Sequence, residues 1–261
     1  MRINGSGTTL RHLWWPVLDL SVGLSLMLPA VFAQARPPIP YYARANSFGV
    51  FVGYSNNSSH ILLGDAEHRK LLLIGASYNR RLLLRRIGNW QYSVEILPVA
   101  VESDPLSLYV DNQTSPTQTT YVSPGPPVVS CAAQTFNYTF TGPDGETYSG
   151  TESSFCHGRQ WTFGEAISPV GVQWNFLPRR KLQPFFVGHG GYMFSTQPIP
   201  IPHAGSFNFT FDFGAGFELY RSRTRSIRLE YRYHHISNDN TATYNPGIDN
   251  GLVQVTYCFG R

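Results

Sequence analysis

From about residue 45 onward, hydrophobic and polar residues alternate one by one. The clearest run is Phe207 to Leu219, FNFTFDFGAGFEL, in which every odd position is apolar and every even one is polar or glycine. A period of two sends successive side chains to opposite faces of an extended strand, so one face of this segment meets an apolar medium and the other a polar one. Comparable runs predict eight strands, at about 46–55, 68–85, 90–101, 163–177, 181–196, 207–221, 225–238 and 251–259.

The connections between these runs alternate in length. Those after the second, fourth and sixth strands are tight (86–89, 178–181 and 222–225), whereas 56–67, 102–162, 197–206 and 239–250 are long and rich in Asn, Ser, Gly and Pro. An even number of antiparallel strands with short turns at one end and long loops at the other predicts an all-β fold, an eight-stranded antiparallel transmembrane β-barrel of the bacterial outer-membrane kind. A soluble β-sandwich would alternate too. The polar face separates the two, because Glu95, Asp212, Glu218, Arg228, Glu230 and Arg232 share it with Gly and Ser. Charges of both signs suit a narrow lumen in which they pair with one another. The opposite face carries Phe, Tyr, Trp, Leu and Val, as a lipid-facing band does.

Composition narrows the function classes. Only 14% of the 261 residues are charged and 14% are aromatic, too apolar a balance for a disordered chain. The net charge is +4 and no long basic run occurs, which argues against a nucleic-acid partner. Arg2, Arg11 and His12 precede the apolar stretch 22–33, which ends in Ala33-Gln34-Ala35. This pattern predicts a signal peptide over 1–35, cleaved before Arg36, and a single barrel domain over 36–261 with a long extracellular loop at about 102–162. Cys131, Cys156 and Cys258 have no zinc-ligand spacing. In an oxidising compartment Cys131 and Cys156 form a possible disulfide, with Cys258 left over.

Candidate chemistry gathers at the end of the chain. In the run Ile227 to Asn238, parity separates Arg228, Glu230, Arg232 and His234 from Ile227, Leu229, Tyr231, Tyr233, His235 and Ser237. His235 and Ser237 therefore emerge on the apolar side, and Asp249 opens the final strand with the same outward parity. Ionisable groups on a lipid face cost about 2 kcal/mol or more near the midplane. A carboxylate, an imidazole and a hydroxyl together suit acyl transfer. Asp249 would fix the imidazole tautomer, His235 would take the proton of Ser237, and the Ser237 oxygen would attack an ester carbonyl. Asn238 or Asn245 would serve as oxyanion donor or positioning residue. No metal or other cofactor is expected. His189 and His234 read as lumen residues in structural roles.

The stretch Tyr233-His-His-Ile-Ser-Asn238 followed by Asn245-Pro-Gly-Ile-Asp249 resembles the C-terminal signature of the outer-membrane lipid A 3-O-deacylases, also called the acyloxyacyl hydrolase family. The resemblance covers about residues 160–261, including Gly164 to Phe176 and Leu182 to Tyr192. It implies a metal-free hydrolase, set in the lipids of the bacterial outer membrane, that releases an ester-linked 3-hydroxyacyl chain from the lipid A of lipopolysaccharide. In that family pattern Ser237 is the nucleophile, His235 the base, Asp249 the acid member and Asn245 a candidate oxyanion residue. The family's best-known members carry Glu where this chain has Asp249. Its strand pattern also departs from common outer-membrane barrels at the terminus, where Gly260 and Arg261 follow the aromatic Phe259. Two other readings suit the residues: a non-enzymatic barrel acting as anchor or adhesin through 102–162, and an outer-membrane phospholipase.

Overall fold

The structure is a computed structural model that describes residues 42–261; the predicted signal segment 1–35 lies outside the described residues. Ten antiparallel strands form one sheet: β1 (Asn46–Ser55), β2 (Lys70–Leu84), β3 (Gly88–Ser115), β4 (Thr119–Pro127), β5 (Gln134–Thr141), β6 (Thr147–Phe176), β7 (Leu182–Ser195), β8 (Phe207–Tyr220), β9 (Arg225–Ser237) and β10 (Ile248–Gly260). Among the described residues, no helix is long and apolar enough to cross a membrane.

The sheet order is β4-β3-β2-β1-β10-β9-β8-β7-β6-β5, and β3 also pairs with β6. That additional ladder returns the sheet on itself through β3, β2, β1, β10, β9, β8, β7 and β6. Closure gives every strand of the circuit two neighbours, so none of its backbone edges is left open. The first and last strands meet along Ser47↔Gly260 to Tyr54↔Val253, and Arg261 extends the seam by hydrogen bonds with Ala45 and Asn46.

Burial around the circuit is inverted relative to a water-soluble protein. On β8 the apolar positions Phe209, Phe211, Phe213, Phe217 and Leu219 are exposed, while Asn208, Asp212 and Glu218 between them are buried. Much of the interior is polar and closely paired, beside a buried apolar cluster that includes Leu71, Leu73, Leu97, Met193 and Leu252. Arg232 grips Glu95 with both terminal nitrogens (2.8 and 2.9 Å) and also reaches Asp212 (3.3 Å) and Glu230 (3.1 Å). His189 bridges Asp212 (3.1 Å) and Ser93 (2.9 Å). Nearer the short turns, Glu218 is bound by Arg44, Ser226 and Asn175. Buried charges need such partners, since an unpaired one would cost several kcal/mol.

The segment 102–162, predicted as a loop, is mostly strand. β3 and β6 continue pairing from Glu102↔Thr162 to Ser115↔Ser149, with β4 on the outer side of β3 and β5 on the outer side of β6. Both faces of β4 and β5 are largely exposed, so these strands lack the apolar alternation that marks a strand with one buried face. Pro124, Pro126 and Pro127 also read as loop, yet β4 is an edge strand, where proline is tolerated. A Cys131–Cys156 disulfide ties the β4–β5 link to β6, and Cys258 is free and buried.

Where the extension leaves the closed circuit, Arg69 gathers the surrounding loops. Its fully buried guanidinium donates to Asp104 (3.1 Å) and to the backbone carbonyls of Glu67, Val128, Val129 and Pro200. A span of about ten residues crosses a bilayer, so Glu102 and Asp104 on β3 lie beyond that length from Gly88. Burial pushes Asp104 up to about 6, against the pull of Arg69. Burial, together with the neighbouring Asp104, raises Glu102 well above the usual carboxylate range.

Candidate active site

His235 and Asp249 are directly opposed across the β9–β10 ladder. On the other side of β9, Phe211 is opposite His235 and Phe209 is opposite Ser237. The strand register alone therefore brings the carboxylate to the imidazole: His235 Nδ1 donates to Asp249 Oδ1 at 2.6 Å. Ser237 is two residues further along the same face, about 7 Å away at Cα by strand geometry. It is half-exposed, and among the described residues its hydroxyl makes no hydrogen bond.

Asp249 sits in a socket with four donors. Tyr233 Oη donates to Oδ1 (2.7 Å) alongside His235, and the Leu62 and Leu63 amides donate to Oδ2 (2.7 and 2.9 Å). These amides come from the β1–β2 loop, which folds over the outward face of β9 and β10. Asp65 N–H donates to the Pro246 carbonyl (2.6 Å), Ala66 N–H to Gly247 (3.1 Å) and Ser59 N–H to Asp249 (3.2 Å). Gly64 allows the close approach, since a Cβ there would lie 2.6 Å from Asp249 N and 2.8 Å from Ile248 C.

The loop changes the expected exposure of the site. Tyr231, with the same parity as His235, is 60% exposed, but His235 is only 5% exposed and Asp249 is fully covered. The outward-facing carboxylate is thus roofed by backbone amides rather than open. Such a roof suits a charge-holding role, because preorganised donors replace the hydration that a bare carboxylate would lose.

The two asparagines are involved in shaping the β9–β10 connection. Asn238 is buried, and its amide nitrogen donates to the carbonyls of Tyr244 (2.6 Å) and Ala204. Its backbone N–H donates to Asn245 Oδ1 (3.1 Å). Asp239 and Asn240 follow in the left-handed region, which short polar side chains tolerate better than most. His189 and His234 face the interior, His234 opposite Asp212. Glu95, His189 and Asp212 have ligand-type atoms within 4.8 Å of one another, but the Arg232 guanidinium occupies their carboxylates.

Tyr233, Gly64 and the amides of Leu62 and Leu63 were not foreseen as site components. Tyr233 carried a usable signal, its parity with His235 and Ser237. The amides carried none, since any residue but proline supplies an N–H.

These features define a class: an all-β antiparallel sheet protein with paired charges inside and an apolar outer face, which also carries a hydrogen-bonded carboxylate–imidazole pair and a nearby serine. Residues 129–257, which include His235, Ser237 and Asp249, match the lipid A 3-O-deacylase (PagL) family. Among solved structures, the chain is similar to the outer membrane enzyme PagL, with 12% identity, a TM-score of 0.46, and 82% of this chain and 99% of that one covered. It is also similar to outer-membrane expressed OmpT of Vibrio cholerae, with 7% identity, a TM-score of 0.23, and 83% and 98% covered. No curated protein matches the chain.

Proposed function

We propose that the chain is an outer-membrane lipid A deacylase. Its closed circuit serves as an eight-stranded transmembrane barrel, and the hydrolysed bond is the ester of a 3-hydroxyacyl chain on lipid A. The match of residues 129–257 to the lipid A 3-O-deacylase family supports the substrate class. The 2.6 Å contact between Asp249 and His235 carries the catalytic assignment, because it fixes the proton on Nδ1 and leaves Nε2 as the base.

In this reading Nε2 of His235 removes the Ser237 proton as the serine oxygen attacks the ester carbonyl. The resulting imidazolium is stabilised by Asp249, which stays ionised in its four-donor socket. The tetrahedral intermediate collapses to an acyl-serine, and His235 returns the proton to the sugar oxygen. Water, activated by the same imidazole, then frees the fatty acid. Asn245 is assigned to oxyanion stabilisation or to holding the loop, and Asn238 to positioning. The exposed Phe209 and Phe211 beside Ser237 and His235 offer an apolar wall against which an acyl chain can lie.

The test is Ser237→Ala, assayed by release of 3-hydroxy fatty acid from purified lipopolysaccharide. Release should cease while heat-modifiable migration, the mark of a folded barrel, persists. Undiminished release would reject the assignment. Offering phospholipid in parallel identifies the acid that is cut.

A further inference from the structure

The β1–β2 loop combines two properties. Its backbone reaches inward: the amides of Leu62 and Leu63 hold Asp249 Oδ2. Its side chains point away: Ile61, Leu62 and Leu63 are 43, 57 and 61% exposed, three consecutive aliphatic residues without a cover. The same residues thus present donors to the catalytic carboxylate and an apolar surface to the surroundings.

That surface is continuous with the outer wall. Below Asp249 on β10 come Val253, Val255, Tyr257 and Phe259, all exposed, with Tyr54 of β1 paired beside Val253 and Tyr231 on β9. Between its anchors at Ser59 and Asp65 the tip is held by the two carboxylate bonds, and beside it the His60 ring lies near the Gly64 carbonyl (2.9 Å) and the Asp65 carboxylate (3.1 Å).

We propose that the Ile61-Leu62-Leu63 tip docks into the acyl layer around the protein and thereby seats its own amides on Asp249, making this loop a positioning element that responds to the lipid surface. The occupant is the hydrocarbon of the outer leaflet. The surface is an extension of the apolar wall, and the tip carries no charge that would hold it in water. This inference rests on the deacylase reading for its catalytic consequence but not for the docking itself.

Two measurements separate these parts. The full chain carrying Leu62→Cys, labelled with an environment-sensitive fluorophore, is placed in vesicles of phosphatidylcholine and lipopolysaccharide containing a nitroxide on the upper acyl chain. The label should be quenched, whereas one at Gln118 in the β3–β4 turn should not. An unquenched Leu62 label overturns the proposal whether or not the protein is a hydrolase. In the second measurement, the variant Ile61→Ser/Leu62→Ser/Leu63→Ser keeps every amide donor but loses the apolar tip. Its rate on vesicle-borne lipid A, relative to its rate on a water-soluble short-chain ester, should fall about ten-fold. An unchanged ratio overturns the coupling. A wild-type chain that hydrolyses neither substrate refutes the deacylase reading, and the quenching result still decides the docking.

Discussion

Gly64→Ala tests whether the loop roof acts on the carboxylate. The added Cβ would stand 2.6 Å from Asp249 N, 2.8 Å from Ile248 C and 2.9 Å from Asp249 Oδ1. Two of these are atoms of the β10 backbone, which is fixed in the ladder opposite β9, so the loop must retreat instead. Restoring ordinary contact needs a shift of more than about half an ångström, which stretches the 2.7 and 2.9 Å amide bonds past useful length. Hydrogen bonds to a charged group are worth about 1.5–3 kcal/mol each. Water can partly replace donors at this rim, so a net loss of roughly 1.5–3 kcal/mol is expected, or about 10- to 100-fold in kcat. The assay is release of 3-hydroxy fatty acid from lipopolysaccharide, with folding checked by heat-modifiable migration. Gly190→Ala is the control, since its Cβ would meet nothing within 4 Å. Folded Gly64→Ala protein working within two-fold of wild type would refute the idea that these amides support catalysis.

Three further outcomes follow from the described contacts. Asp249→Glu should lower the rate about ten-fold, because the socket already has donors at 2.6–2.9 Å and an extra methylene overfills it; kinetics on lipid A decide this, and a faster variant contradicts it. Arg232→Ala strips partners from Glu95, Asp212 and Glu230 inside the circuit and should cost about 3–5 kcal/mol. Its barrel should unfold at distinctly lower temperature in the migration assay. Glu102 and Asp104 bind protons more tightly folded than unfolded, so their contribution is fully present at acid pH and is lost as pH rises through about 6 and above. Wild type should therefore melt lower at about pH 8 than at about pH 5, and Glu102→Gln should flatten that slope; an unchanged slope would exclude Glu102 as its source.

The circuit was legible because one face of most of its strands is predominantly apolar. Runs such as Phe207 to Leu219 leave no ambiguity about which side chains share a face. Parity also set His235, Ser237 and Asp249 on one side, and the register adds that two of them are directly opposed. The extension was illegible for the converse reason. Strands such as Gln134–Thr141 are exposed on both faces, so nothing in their pattern distinguishes them from a polar loop. The roof over Asp249 was illegible for another reason: it is made of backbone amides whose identity no side chain announces, and only Gly64 hints that two chain segments touch.

Arg232 ties Glu95, Asp212 and Glu230 together and His189 is bound to Asp212, so side chains from four strands are cross-linked inside the closed circuit. Such cross-links obstruct passage through the interior, and on the proposed reading amphiphiles would encounter the working surface by sideways diffusion, without first leaving the sheet of lipid in which they are dissolved.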